Sequence, residues 1–490
     1  MSTSRVTPAA HATLAPVTCA IGLGLVMLDN NALVVSLPTI TRDIGADEMA
    51  ARWLFVSFML ANLTLLPSVG TIAAIVGRRR TYQIGLALFG FGSALALVAQ
   101  SFWPLLLARV SQGAGGALTV PNAAALLDAN VPTHRRTRAV ATWVTVSSTG
   151  IFVGPVMGGF LTNAVSWRLV FLVEVAACAA GIALAGRLAD IGATRQRVDF
   201  LGMVTGGGAV CLAALGILEA GRATPNWVLV GGTLGLAVPT FIAFLAIQRR
   251  VSHPALDLKV FAQPRFGAVI GACAAYNATV AGGQYVLSLF LQTQHGMSAS
   301  AAGWVAFAAM ALLPLGSQLL SLLTRFRTPQ QVMYWASLGL TTAYVLAGVI
   351  GVDVLWLAVL PLLAMGLAVG VLFAGDTAVV MSMVESRMLA SALSTLSLTR
   401  QLGSILGIAF LGSLHQQLIA VGWSRPDPLQ GTFLACAVVL LPAVWLLYGN
   451  VVAAGRSALP DSAMPANRGV ALNKELNKEL NKERGGDEPR

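Results

Sequence analysis

The sequence predicts an all-α integral membrane protein with many transmembrane helices. Three observations support this fold class. Of the 490 residues, 56% are hydrophobic and only 10% are charged, with a mean hydropathy of +0.75. A soluble domain carries about 25% charged residues, so this chain has too few charges to cover a soluble surface. Apolar runs of about 20 residues, the length of a transmembrane helix, recur along nearly the whole chain.

These apolar runs predict fourteen transmembrane helices. The runs are continuously apolar and do not alternate, which favours helices over a β-barrel. Helices also satisfy their own backbone polar groups, which lipid cannot do. The predicted spans are 15–38, 53–75, 82–100, 103–127, 139–163, 168–188, 200–220, 227–247, 267–291, 301–323, 331–351, 355–377, 391–416 and 430–449.

Arginines in the connecting loops predict the orientation of the chain. One side holds basic clusters at residues 78–80, 135–138 and 249–250, whereas the other side holds only five scattered arginines. The positive-inside rule therefore places both termini in the cytoplasm, in a multi-pass protein of the cell inner (plasma) membrane. The formal net charge of +11 is explained by these loops, so we expect no nucleic-acid partner.

The predicted domain organisation has five parts. They are a cytoplasmic N-terminus (1–14), a first six-helix bundle (15–190), two inserted helices (199–249), a second six-helix bundle (262–450) and a disordered cytoplasmic tail (451–490). The dipeptide Gly-Lys is absent, which excludes a Walker A loop for ATP. The sequence shows no metal-ligand spacing and no nucleophile–base pairing, so we expect no metal, no cofactor and no enzymatic activity.

Two glycine-containing segments stand out. The first, Gly70-Thr-Ile-Ala-Ala-Ile-Val-Gly77-Arg78-Arg79-Arg80, is a tight turn followed by a basic cluster between the second and third predicted helices. The second lies in the fifth predicted helix and contains Gly150, Gly154, Pro155, Gly158 and Gly159. Glycines four residues apart leave one helix face flat for close packing, and the proline bends the helix.

Charged residues inside predicted spans are functional candidates, because each is costly in lipid unless it is paired or hydrated. Asp29 lies about nine residues from the outer end of the first helix, roughly 13 Å, and Arg109 about six residues from the outer end of the fourth, roughly 9 Å. The two charges therefore fall at similar depth and are expected to pair. Glu174, in the sixth helix, falls in the same layer.

These motifs resemble those of the major facilitator superfamily. The first segment resembles the family's loop signature Gly-x-Leu-Ala-Asp-Arg-x-Gly-Arg-Arg, with Ala74 at the acidic position, so the acid that latches the two halves of family members has no counterpart there. The second segment matches Gly-x-x-x-Gly-Pro-x-x-Gly-Gly, which marks drug:proton antiporters. Further resemblances are Leu28-Asp29 through Leu37-Pro38, the Arg109 segment, Trp167-Arg168 through Glu174, and Arg400-Gln401-Leu-Gly403.

The resemblance implies a fold and a function. The fold is two six-helix bundles around a central cavity with two inserted helices, and the closest family type is the fourteen-span drug:proton antiporter. The function implied is proton-driven export of small amphipathic molecules, in a monomer, with Asp29 and Arg109 moving the proton. An importer or proton-independent facilitator on the same fold remains open, because fold does not fix function.

For some polar residues the sequence allows two alternative roles. Glu174 stands where the family has asparagine; it either takes part in proton coupling or supports the packing around the site, and helix position favours the second. Arg400 is either a structural hydrogen-bonding residue or a coupling residue, and Asp376 is expected to be a solvated carboxylate near the inner surface. The candidates for the substrate cavity are Asn30, Asn31, Gln112, Tyr285, Gln292, Arg400 and Gln401.

The predicted orientation can be tested by cysteine labelling. In a version lacking the native cysteines, Asp47→Cys and Pro225→Cys should react with a membrane-impermeant thiol reagent in intact cells, because both loops face outward. Ser4→Cys and Ser457→Cys should react only after the cells are permeabilised. Labelling at Ser4 or Ser457 in intact cells, without labelling at Asp47, would contradict the orientation.

Overall fold

The computed structural model describes residues 8–457, except 67–68, 133–134, 191–199, 221, 223, 252–262, 264, 351–354, 385–388 and 423–427. All regular secondary structure in these described residues is helical. The helices are α1 (Pro8–Asp43), α2 (Glu48–Leu65), α3 (Val69–Val76), α4 (Arg78–Val98), α5 (Phe102–Asn130), α6 (Arg136–Ala164), α7 (Arg168–Ala185), α8 (Phe200–Ala220), α9 (Trp227–Gln248), α10 (Phe266–Thr293), α11 (Ala299–Ala311), α12 (Leu313–Leu323), α13 (Pro329–Ile350), α14 (Leu355–Met383), α15 (Leu389–Ala420) and α16 (Pro428–Ser457).

The length and composition of these helices confirm a multi-pass membrane protein. Within the described residues, ten segments are long and apolar enough to cross a membrane, and two shorter apolar helices cover Met49–Leu65 and Val204–Ala220. Every predicted span overlaps at least one helix. The count of fourteen crossings stays a prediction, because α5 and α6 are each 29 residues long but are not among the ten apolar segments.

The helices differ from the predicted spans at several places, and the span 53–75 is divided between α2 and α3. The span 301–323 is interrupted at Leu312, between α11 and α12, because Pro314 has no backbone N–H to donate to the carbonyl of Met310. Helix α14 continues to Met383, beyond the predicted end at 377, and α16 continues to Ser457, beyond the predicted boundary at 450. The repeats of the predicted disordered tail, and the first residues of the predicted N-terminus, lie outside the described residues.

Hydrogen bonds gather the helix ends into two groups. At one end, which we call the Asp47 end, Arg168 at the start of α7 binds the Asp43 carboxylate at 3.1 Å and the Ala99 carbonyl at 2.9 Å. At the other, the basic end, Arg79 donates to the Leu188 carbonyl at 2.9 Å. Helices α4 and α7 therefore run in opposite directions between the two ends.

Helices α10–α16 repeat the packing of α1–α7. In the first set, α1 packs on α6, α4 on α5 and α7, and α2 on α5. In the second set, α10 packs on α15, α13 on α14 and α16, and α12 on α14. The same pairs recur when α1 is matched with α10, α2 with α11 and α12, and α4–α7 with α13–α16. Helices α8 and α9 have no counterpart in this scheme; they pack on each other, and α8 also packs on α2 and α15.

The two sets of helices meet near the Asp47 end. Ser288 and Gln292 of α10 donate hydrogen bonds to the Val34 and Val35 carbonyls of α1, at 2.9 and 2.7 Å. Arg52 of α2 donates to the Ser413 hydroxyl of α15 at 2.9 Å. These buried polar contacts close the interface between the sets at this end.

Glycines on α6 bring its backbone against α1. A Cβ atom added at Gly150, Gly154 or Gly158 would lie within 2.9 Å of backbone atoms of α1. Gly407 of α15 repeats this contact in the second set, with a Cβ 2.1 Å from the Ala278 carbonyl of α10. Any side chain larger than hydrogen at these positions must push two helices apart.

The other face of α6 meets the second set of helices. A Cβ added at Gly159 would lie 2.4 Å from the Ala299 carbonyl of α11, and one added at Gly303 would lie 2.4 Å from the Pro155 carbonyl. The glycine–proline motif therefore sits between α1 and α11, with close backbone contacts on both sides.

The packing of α6 yields a direct test. Gly154→Leu should sharply reduce transport while the protein still reaches the membrane, because the new side chain meets the Leu28 carbonyl and the Asn31 side chain of α1. Overpacking of this kind typically costs about 1–3 kcal/mol. The measurement is transport per membrane-inserted protein.

Gly235→Leu on α9 is the matched control, because a Cβ added there meets nothing within 4 Å. It should transport like the unmodified protein. Equal transport by the two variants would show that the α1–α6 contact carries no functional constraint.

Candidate functional site

A fully buried ion pair joins α1 to α5. The Arg109 guanidinium donates through Nη1 to both Asp29 carboxylate oxygens, at 2.7 and 3.0 Å. Neither side chain is more than 1% exposed. The pairing predicted from helix depth is confirmed.

Glu174 joins the same site through Gln112 and Ser93. Gln112 accepts a hydrogen bond from Arg109 at 2.7 Å and donates to the Glu174 carboxyl at 2.9 Å. The Ser93 hydroxyl donates to the same Glu174 oxygen at 2.7 Å. We call Asp29, Ser93, Arg109, Gln112 and Glu174 the acidic cluster.

Five helices supply and support the acidic cluster. Its members come from α1, α4, α5 and α7, and α2 provides the wall. The Arg109 Nε donates to the Leu54 carbonyl at 3.1 Å, and the guanidinium carbon lies 4.6 Å from the centre of the Phe58 ring. The Leu54 carbonyl and the Phe58 ring both contact the guanidinium, so they hold the arginine in one orientation.

Two polar atoms of the cluster lack hydrogen-bond partners among the described residues. They are Glu174 Oε1 and Arg109 Nη2, both fully buried. An unpaired buried polar atom is costly, and more so on a charged group. The cluster therefore contains three ionisable side chains, and two of its polar atoms have no hydrogen-bond partner among the described residues.

The candidates for the substrate cavity do not form one group. Asn30 and Asn31 follow Asp29 on α1; Asn31 donates to the Met27 carbonyl at 2.7 Å, and Asn30 Oδ1 is buried without a partner in the described structure. Tyr285 and Gln292 are buried on α10 near the contact between the two sets. Arg400 and its partly buried neighbour Gln401 lie on α15.

Arg400 forms a second buried ion pair, with Asp376 of α14. The two groups bind through Nε at 3.2 Å and through Nη2. Tyr276 of α10 donates its hydroxyl to the same carboxylate at 2.7 Å, and the Arg400 guanidinium carbon lies 3.9 Å from the centre of the Phe373 ring.

The expectation that Asp376 is a solvated carboxylate was wrong. Its side chain is fully buried. Helix α14 continues past the predicted end, which places Asp376 deeper than counted, and Arg400 with Tyr276 replaces the water that the carboxylate would otherwise need.

The loop motif forms the turn that its glycine predicts. Gly77 has φ 96°, a left-handed conformation that favours glycine, and it precedes α4, which begins at Arg78. The Asp190 carboxylate accepts from the Arg79 backbone N–H at 3.0 Å, at the start of α4. Gly70 lies in α3. Asp190 thus supplies an acid to this turn from the far end of the first set, whereas the motif itself has Ala74.

Sequence reasoning missed Ser93, Asp190 and the pairing of Asp376. Ser93 carries no sequence signal, because serines inside helices usually bond their own backbone. Asp376 did carry one: a carboxylate within an apolar run is a candidate for a buried pair by default. Asp190 was detectable only as an acid near a basic cluster, a common arrangement at a membrane surface.

Comparison with known proteins adds independent evidence. The sequence profile described as Major Facilitator Superfamily matches residues 19–190. The chain is 28% identical over 400 residues to the methylenomycin A resistance protein of Bacillus subtilis, covering 80% of this chain and 85% of that protein. It is 27% identical over 412 residues to the tetracenomycin C resistance and export protein of Streptomyces glaucescens, covering 81% and 74%. It is 27% identical over 437 residues to the multidrug resistance protein Stp of Mycobacterium tuberculosis, covering 86% and 80%.

Solved structures share the fold at low sequence identity. A peptide transporter of the POT family in complex with sulfate superposes with a TM-score of 0.65 at 15% identity, covering 90% of this chain and 95% of that one. The human organic anion transporter MFSD10 superposes with a TM-score of 0.59 at 16% identity, covering 90% and 100%. The profile match over residues 19–190 and the resistance-protein relatives support the drug efflux type of the major facilitator superfamily, and the solved transporters share the fold of this chain.

Proposed function

We propose that this protein exports small amphipathic molecules across the plasma membrane in exchange for protons, by alternating access. The observation that carries the proposal is the acidic cluster, in which the buried Asp29–Arg109 ion pair is connected through Gln112 to a second buried carboxyl group, Glu174. The names of the relatives support export and resistance, and the cluster supports the energy source.

The charge balance of the cluster favours a bound proton. Arg109 neutralises one carboxylate, Asp29, through two short hydrogen bonds. If Glu174 were also ionised, the cluster would carry one uncompensated negative charge, and leaving a buried charge unpaired typically costs about 3–5 kcal/mol. Protonation removes that charge.

Proton exchange follows when the cluster changes its exposure. Opening the site to water restores the solvation that stabilises a second carboxylate, so the proton can leave. Closing the site removes the water again, so the second carboxyl group must take up a proton. A carboxyl group that must be neutral in one conformation and can ionise in the other couples proton movement to the change between conformations.

The packing pattern supports the architecture on which alternating access depends. We propose two six-helix bundles, residues 15–190 and 262–450, with α8 and α9 inserted between them in sequence. The matched helix contacts of α1–α7 and α10–α16 support two equivalent halves. The contacts between the sets near the Asp47 end fit a conformation closed on that side, which the arginine distribution places outside the cell.

The second ion pair, Asp376–Arg400, fits a supporting role better than a proton-carrying one. Asp376 accepts hydrogen bonds from Arg400, Tyr276, Cys273 and Thr377, so the ionised carboxylate is fully satisfied. We propose that this pair holds α14 to α15, two helices that pack sparsely otherwise.

The relatives suggest which substrates to test first. Their names include resistance to methylenomycin A, tetracenomycin C and lincomycin. Growth inhibition in a pump-deleted bacterial host expressing this chain should reveal which of these compounds, or which amphipathic dye, it exports. The compound with the largest protection serves as the probe for transport.

Asp29→Asn should abolish proton-driven accumulation of that probe in inverted membrane vesicles. The amide keeps the size and the hydrogen bonding of the carboxyl but cannot titrate, and it leaves Arg109 without its counter-ion. Glu174→Gln should also lose accumulation against a gradient while keeping downhill movement of the probe. The measurement is probe uptake with and without an imposed proton gradient.

Asp43→Asn is the matched control, because Asp43 pairs with Arg168 at the Asp47 end, where its side chain is 52% exposed. It should retain full proton-driven uptake. Full proton-driven uptake by both Asp29→Asn and Glu174→Gln would contradict the proposed coupling site. Uptake independent of the proton gradient in the unmodified protein would favour a facilitator.

A further inference from the structure

A cavity of about 500 Å³ lies outside the interface between the two sets of helices. It opens at the Asp47 end, where the inserted helices α8 and α9 meet α2 and the start of α5. Its walls include Trp53, Phe102, Glu219, Arg222 and Leu229. This volume falls in the range of small-molecule sites.

The charges in the cavity favour a cation. Asp47 and Glu219 contribute two carboxylates and Arg222 contributes one guanidinium. Glu219 lines the cavity although it is only 4% exposed, and its carboxylate accepts a hydrogen bond from the Asn226 backbone N–H at 3.3 Å. Arg222 pairs with it at 3.4 Å, but the arginine side chain is 47% exposed and can be displaced into water.

The remaining walls favour an organic cation with an apolar body. Trp53 and Phe102 present aromatic rings, whose electron-rich faces attract cations. Met49, Leu215 and Leu229 add apolar surface. An inorganic cation would leave this surface wet, and an anion would meet the two carboxylates.

We propose that this cavity is a second ligand site, which binds lipophilic organic cations beside the transport pathway. The proposal concerns a site separate from the acidic cluster, and it does not depend on the direction or the energy source of transport. One helix separates the ligand from the contact between the two sets: Trp53 lines the cavity, and its neighbour Arg52 donates to Ser413 of α15.

Protection of a cysteine from labelling tests the site directly. In protein lacking its five native cysteines, Leu229→Cys places a thiol in the cavity wall, and Val228→Cys places one beside it on an exposed position outside the lining. Tetraphenylphosphonium is the probe, in phosphatidylglycerol nanodiscs without a proton gradient. At a concentration near its dissociation constant it should slow maleimide labelling of Leu229→Cys about twofold, because half the sites are filled. Labelling at Val228→Cys should not change.

Two further substitutions should act in opposite directions. Glu219→Gln removes the buried negative charge and should weaken the protection, whereas Arg222→Gln removes the competing cation and should strengthen it. Loss of folding would weaken protection in both variants. Tetraphenylborate, which matches the probe in shape but carries a negative charge, should not protect Leu229→Cys.

Three outcomes would overturn the proposal. One is equal slowing at Leu229→Cys and Val228→Cys, which would reflect partition of the probe into lipid. Another is unchanged protection in both the Glu219 and Arg222 variants. The third is slower labelling of Leu229→Cys in phosphatidylethanolamine nanodiscs than in phosphatidylglycerol nanodiscs, with no probe present in either. That result would assign the cavity to a lipid headgroup.

Discussion

The structure of the first set of helices depends on satisfying one buried arginine. An arginine inside a membrane helix destabilises the fold unless other groups pair with it or hydrate it. Here Asp29, Gln112, the Leu54 carbonyl and the Phe58 ring surround Arg109. These partners come from α1, α2 and α5, so the packing of those helices and the position of the charge determine each other.

Close packing makes this arrangement possible. The glycines of α6 bring α1 near enough that backbone atoms touch, and Pro155 and Gly159 bring α11 equally near on the other side. Helix α6 therefore lies between the helix that carries Asp29 and the second set. A change in the angle between the two sets must move α6 along one of these contacts. This provides a physical route by which the state of the carboxyl groups and the closure of the Asp47 end can influence each other.

The positions of the apolar helices, the helix depth and the Asp29–Arg109 pair were predictable because each follows from simple counting. Apolar run lengths give helices, and 1.5 Å per residue gives depth. The contacts of Glu174 and Asp376 were not predictable in the same way. Glu174 was expected to support packing because of its helix position, but only side-chain geometry shows that Gln112 and Ser93 connect it to Arg109. Asp376 was predicted too close to the membrane surface, because α14 is longer than its apolar run. Gln292 was predicted to line the substrate cavity, but its side chain donates a hydrogen bond to the Val35 carbonyl of the first set.

Proton exchange by this route requires that the acidic cluster holds one proton when it is buried. Difference infrared spectroscopy of the purified protein tests this directly, because a protonated carboxylic acid has a carbonyl stretch distinct from that of a carboxylate. At neutral pH we expect a protonated-acid band that is lost in Glu174→Gln and unchanged in Asp43→Asn. A spectrum in which no such band responds to substitution of Glu174 or Asp29 would contradict it, because both carboxyl groups would then be ionised in the buried site.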